Sequence, residues 1–421
     1  MSSRCWAIVF VWIASIAGGL PAMAQASAAD RPAAEVPRAT LIGHAVLPAM
    51  TWSEGPPCGE YDAEGNRFEE PRFPSQPVQG FSSIRWLEKP GRILVLSDNG
   101  FGTRANSPDY LLRLYHLRID PGGVEEDRDS SIEFVDFIQL NDRNRRVPFR
   151  IVNETSPERL LTGADFDPES FVVDRDGSLW VGDEFGPFLL HFGIDGTLLE
   201  PPYPLEIRES QFLTRVFRSP QNPTLLAQGA APQVAAQAIV EVSGGIEGLA
   251  MSADGTKLLA MLEKVILGDP YRTLRIFEFD LATRSYTGIL HLYRLSGDRH
   301  RIGELSHLSD TSYVVIERDD ADGESARFKR IFRFDLEVVQ RIGAVEKTEV
   351  VDLLHIRDPD LMASEDGLFR FPFVTIESVE IVDSHTLLVA NDNNFDSRGA
   401  RGEGLLNQNE LIWVRVDSPL D

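Results

Sequence analysis

Cysteine is almost absent: two residues in a chain of 421. Cys5 falls in an apolar N-terminal stretch that reads as a removable leader, so Cys58 stands alone. That excludes an internal disulfide and a cysteine-ligated metal site. Lysine is nearly as scarce, five residues against 36 arginines. Positive charge as a whole is short, with a formal net charge of -24. The balance argues against binding nucleic acid or anionic membrane, which need basic patches, and suits a protein that concentrates cations. Long apolar runs are missing: Ala7 to Ala17 is too short to span a bilayer. No long amphipathic helix pattern appears. Nor does a Gly-x-Ser-x-Gly elbow, nor a His-Glu-x-x-His pair. Gly100-Phe-Gly102 lacks the following helix that a dinucleotide fingerprint needs.

What is present begins with that leader. Arg4, the apolar run and an Ala-x-Ala site ending at Ala24 read as a secretory signal peptide over residues 1–24. The mature protein is then periplasmic or secreted and not inserted in a membrane. Residues 25–39 are Ala/Pro-rich and read as a disordered lead-in. Apolar content is 43 %, enough to bury a core, and residues 40–421 read as one domain.

The organising stretch is Phe166 to Gly186, two apolar runs joined by Asp174-Arg-Asp-Gly177. Asp-Gly between apolar runs is a strong hairpin signal. The design recurs. Gly80 to Ile84 returns through Ile93 to Asp98-Asn-Gly100, and Gly245 to Leu249 returns to Leu262-Glu-Lys264. Ile302 to Leu305 returns to Ile316-Glu-Arg-Asp319, and Ile376 to Val379 returns to Asn391-Asp-Asn-Asn-Phe395. Each hairpin is followed by one or two alternating strands. Four short strands per unit, repeated, read as an all-β fold, a single β-propeller. Five repeats are countable; six blades are possible if 42–79 or 198–243 supplies another. Thr40 to Leu47 is an isolated strand that could pair with the last blade and close the ring. Residues 141–165 and 220–243 are insertions between blades that could cover a face.

Hairpin flanks carry the chemistry. In an antiparallel hairpin the start of one strand and the end of the next share a rim. Glu169, Glu247, Glu304 and Glu377 stand at strand starts, Glu304 least in register. Asp98, Asp183, Glu184, Glu263, Asn391 and Asp392 stand at strand ends. Two carboxylates about 4 Å apart repel by roughly 4 kcal/mol at an effective dielectric near 20, so such a collar calls for a cation. Calcium, which takes about six to eight oxygens in irregular geometry, suits a mixed Asp/Glu/Asn set. The expected ligands are drawn from Glu169, Asp183, Glu184, Glu247, Glu377, Asn391 and Asp392. Glu263 or Asp98 is the expected general base. Lys264, Arg318 and Arg104 are expected to stabilise developing negative charge, and Arg398 and Arg401 are further anion clamps.

Several of these segments resemble the bacterial phytase-like family, also labelled "esterase-like activity of phytase". They are Ser97-Asp-Asn-Gly100, Asp176 to Pro187, Gly245-Ile-Glu-Gly-Leu249, Glu317-Arg-Asp319 and Asn391 to Phe395. The resemblance implies a secreted β-propeller and calcium-dependent hydrolysis of phosphoesters or esters, with a small anionic or ester substrate. Calcium-dependent propeller phytases use a Lys- and Arg-rich cleft, and poverty in lysine sets this chain apart from them. Two other readings stay open: a non-catalytic binding propeller with structural calcium, and a lactonase-like propeller enzyme.

Overall fold

A computed structural model describes residues 37–88, 91–122, 131–210, 212–229, 231–341 and 343–420. The leader at 1–24 and the lead-in up to residue 36 lie outside the described residues. Ala39 already belongs to a strand.

Four four-stranded antiparallel sheets and one six-stranded sheet form a five-bladed propeller. The innermost strands are Phe81–Glu88, Pro168–Val173, Ile246–Met251, Arg301–Ser309 and Ile376–Asp383, here numbered blades 1 to 5. Each inner strand packs beside the next and the fifth returns to the first. Asx turns close the hairpins. The Asp176 carboxylate accepts from Ser178 N at 2.9 Å, and Gly177 takes φ +84°, a conformation glycine adopts without steric cost. Asp254 does the same for Thr256 N at 3.0 Å.

Thr40 to Leu47 closes the ring. Ala39–Leu47 pairs antiparallel with Asn409–Val416, from Ala39 opposite Val416 to Leu47 opposite Asn409. Blade 5 therefore joins an early strand to late ones, and no sixth blade forms among the described residues. Blade 2 has the shortest outer strand, Tyr203–Pro204. The 198–243 stretch instead supplies a hairpin, Glu206–Ser210 with Leu213–Val216, and two short helical turns, Pro223–Leu226 and Pro232–Ala235.

The core lies between blades. Leu94, Leu96, Phe171 and Val181 pack at the 1/2 interface, and Trp180, Ile246, Leu258 and Phe277 at 2/3. Ile276, Leu305, Val315 and Phe334 fill 3/4; Ile316, Ile331, Ile376 and Val389 fill 4/5; Ile84, Val95, Leu388 and Trp413 fill 5/1. A fully buried Phe such as Phe171 contributes about 1.5–3 kcal/mol by leaving water. Cys58 packs with Phe73 and Phe395, and burial pushes its thiol up to about 12. That makes it a packing residue, not a reactive one. Phe101 and Phe395 join the same cluster, so these strand-end phenylalanines serve packing.

Candidate metal centre

Every inner strand opens on a β-bulge. The register skips one residue between Phe81 and Ser83, Pro168 and Ser170, Ile246 and Gly248, Ile302 and Glu304, and Ile376 and Ser378. The bulged residues are Ser82, Glu169, Glu247, Gly303 and Glu377. A bulge re-aims a side chain and often marks a functional rim. Opposite the residue before the bulge the partner strand places Ser97, Asp183, Leu262, Glu317 and Asn391. The residue after each of these is Asp98, Glu184, Glu263, Arg318 and Asp392. Side chains alternate along a strand, so this second set and the bulged set face the channel while the first set faces the blade.

The carboxylates of Asp167, Glu169 and Glu184 bring one oxygen each within 4.8 Å of one another. Glu169 also feels the charges of Glu247 and Glu377, and Glu184 those of Glu263 and Glu377. Asp392 feels Asp98 and Glu377. Burial first, then the neighbouring acids, push Asp167 up to about 8 and Glu169, Glu184, Glu247 and Asp392 well above the carboxylate range. Burial also lifts Glu263 and Glu377 to about 7 against the pull of Arg318. Arg318 is the cation at the collar's own level, standing where blade 4 would offer an acid. It donates to Glu263 at 3.1 Å and Glu377 at 3.0 Å. Blades 3 to 5 thus carry an internal counter-charge. Around blade 2 no ion pair is made to Asp167, Glu169 or Glu184 among the described residues.

This half is chemically fit for a hard divalent cation. The donors are all oxygen, with Asp167 and Glu184 buried and Glu169 half-buried, and are contributed by three different positions of one blade. One buried oxygen, Glu247 Oε1, has no hydrogen-bond partner, and an unpaired buried carboxylate oxygen is costly without a cation or proton.

Not every expected ligand reaches the channel. Asp183 accepts from Asp167 N at 2.8 Å and Gly186 N at 2.7 Å. Asn391 donates to the carbonyls of Asp392 and Gln408, both at 3.0 Å, and accepts from Glu410 N at 2.8 Å. Both belong to the blade-facing set, and their side chains hold backbone rather than joining the cluster of Asp167, Glu169 and Glu184. Asp183 instead positions Asp167, a residue absent from the expected set. Asp167 lies just before the strand and reads as an ordinary turn acid; its one visible signal is the Asp-x-Glu spacing with Glu169.

The proposed catalytic group divides likewise. Glu263 and Arg318 face the centre together. Asp98 accepts from Gln79 at 3.1 Å and Gly100 N at 2.9 Å at the edge of the collar. Lys264 donates to Val242 O at 2.6 Å and pairs with Glu263 at 3.3 Å. Arg104 lies outside the collar, over the Phe185 ring. Arg398 and Arg401 are engaged elsewhere, by Gly404 O and by Glu410.

Glu304 stands one residue past the bulge, because Gly303 occupies it. Its partner Arg85 lies deeper in the channel, bonded to Glu304 at 3.0 Å and to Leu249 O at 3.1 Å. The same guanidinium lies 3.5 Å from Glu380 and over the Phe171 ring. Arg85 therefore meets all four other inner strands and blocks the channel below the centre.

The fold and its acidic collar define a five-bladed propeller with a carboxylate centre at the starts of its inner strands. The chain belongs to the phytase-like family, described as "Esterase-like activity of phytase", which it matches over residues 76–395. An uncharacterized secreted protein of Arthroderma benhamiae is 22% identical over 281 residues, 60% of this chain and 53% of that protein. The chain thus spans about half the length of this curated relative. Among solved structures, a luciferin-regenerating enzyme shares 12% identity over 80% of this chain and 77% of its own, with a TM-score of 0.34. A β-1,3-galactosidase shares 9% over 89% of this chain and 60% of its own, with a TM-score of 0.39. Among the described residues no helix is long and apolar enough to cross a membrane.

Proposed function

We propose that the protein is an exported, calcium-dependent hydrolase of phosphoester or ester substrates, acting at the open mouth of the propeller. The observation that carries this reading is the clustered set Asp167, Glu169 and Glu184, with the buried Glu247 Oε1 unpartnered. These residues would hold the ion, with Glu377 and Asp392 beside them. When bound, calcium would polarise a phosphoryl or carbonyl oxygen and lower the pKa of a nearby water.

The chain's own residues divide the remaining work. Glu263, near 7 and beside Arg318, is placed to take the proton of the attacking water. The water oxygen then bonds to phosphorus or the acyl carbon, the ester bond breaks, and the alcohol leaves with a proton. Arg318 stabilises the negative charge that develops. Arg85 and Glu304 keep solvent from entering along the channel from below. The family description supports ester chemistry, and the description of the fungal relative as secreted supports export.

Purified protein should cleave p-nitrophenyl phosphate or p-nitrophenyl acetate in calcium, and Glu247→Gln should lower both metal affinity and turnover. Undiminished turnover after exhaustive metal removal rejects the metal mechanism. Calcium-dependent stabilisation with no turnover on any ester would leave a binding propeller instead.

A further inference from the structure

The two insertions and Arg104 converge. Residues 149–152 of the first insertion, the Pro223–Leu226 turn of the second, and Arg104 line one cleft of about 580 Å³ together with Ala164 and Asp165. That volume is in the range of small-molecule sites, roughly 300–1,000 Å³. Its walls are held in place. Asn222 caps the helical turn through Thr224 N at 2.9 Å and donates to Gly186 O at 2.7 Å. Phe149 stacks on Phe188 at 5.8 Å.

The lining is of two kinds. Phe149, Val152 and Leu226 offer an apolar wall, with Val152 48% and Leu226 52% exposed. Arg104 offers positive charge, while the second guanidinium, Arg150, lies 3.4 Å from Glu154. Asp165, whose oxygens accept from Val152 N at 2.8 Å and from Thr162 N and Oγ at 2.9 and 3.0 Å, is the foremost carboxylate whose charge acts on Arg104. Arg104 donates to Gln221 O at 3.1 Å and forms no ion pair among the described residues. Asp183 and Asp167 of the metal-centre region also act on it through their charges.

We propose that this cleft binds a small phosphomonoester of an aryl or branched-alkyl alcohol, with its phosphate on Arg104 and its hydrocarbon on Phe149, Val152 and Leu226. Guanidinium groups favour phosphate through paired N–H donors. A ligand polar on every side leaves the apolar wall in water. The proposal rests on the hydrolase reading only for the fate of the ester bond; binding stands by itself.

Phenylphosphonate has no ester bond to hydrolyse and serves as the probe, titrated calorimetrically into the calcium-loaded protein. Saturable binding is expected, at least tenfold tighter than methylphosphonate. Arg104→Met and Leu226→Asp should each weaken it about tenfold or more, with melting curves confirming that both fold. Leu226 is half exposed on a surface turn, so its variant keeps the test usable should Arg104→Met misfold. No saturable binding, equal affinity for the two phosphonates, or wild-type affinity in the folded variants would overturn the assignment. Turnover of p-nitrophenyl phosphate is scored separately. Its absence would remove the hydrolase reading and leave the cleft's test standing.

Discussion

Stripped of metal, the protein should grow less stable as pH rises from 5 to 7, the reverse of the usual behaviour of acidic groups. The cause is the collar. Asp167 is raised from 3.8 to about 8 and Glu377 from 4.5 to about 7, burial being the largest cause for both. An acid whose folded pKa is raised keeps its proton in the native state after the unfolded chain has released it. Stability then falls with rising pH between the unfolded and folded values. Each such proton contributes about 1.4 kcal/mol per pH unit. Two of them held across two units give a loss on the order of 5 kcal/mol. Calcium should reverse the trend, since an ion at a thousand times its dissociation constant adds about 4 kcal/mol and binds best when the acids are ionised. The assay is urea denaturation followed by tryptophan fluorescence at pH 5, 6, 7 and 8, in metal-scavenged buffer and again in calcium. Metal-free stability that is flat or rises between pH 5 and 7 would refute the argument, because the carboxylates would then be neither crowded nor desolvated.

Gly303→Ala should destabilise the fold by about 3 kcal/mol, read as a shift in urea midpoint, since a Cβ there would lie 2.1 Å from Ile376 O. Glu317 is opposed by burial but held down to about 2 by His300 and Lys347. The stability it contributes should be complete above pH 4.5 and lost as pH falls toward 2. Glu317→Gln, which leaves Lys347 and His300 without their anion, should cost about 3–5 kcal/mol at pH 6 and flatten that acid limb in thermal melts.

The scaffold was legible because its signals are local. Asp-Gly turns, strand-length apolar runs and repeated acidic flanks name the hairpins, and the orphan strand at Thr40 announces the closure. The centre was legible only to within one residue. Asp183 and Glu184 are neighbours in sequence but face opposite sides of a strand, as do Asn391 and Asp392. Which one reaches the channel depends on the bulge in the paired strand, and a bulge leaves no mark in composition. Glu304 fails the register for the same reason, because Gly303 takes the bulged place. Asp167 escaped because its position is set by a hydrogen bond to Asp183 rather than by a strand. Arg318 has a different logic: it replaces an acid at one position of five, and only the ring's closure shows which acids it serves.

The pairing of Ala39–Leu47 with Asn409–Val416 has a consequence for biogenesis. Among the described strands, Ala39–Leu47 has no long-paired neighbour until Asn409–Val416 is made, its other strand contact being the single Thr40–Arg357 pairing. Four blades can assemble while the fifth waits, with a ribbon of unsatisfied amides at the front of the growing polypeptide. A nascent chain arrested before residue 409 would carry that sticky ribbon indefinitely, which makes truncated products the species most prone to clump.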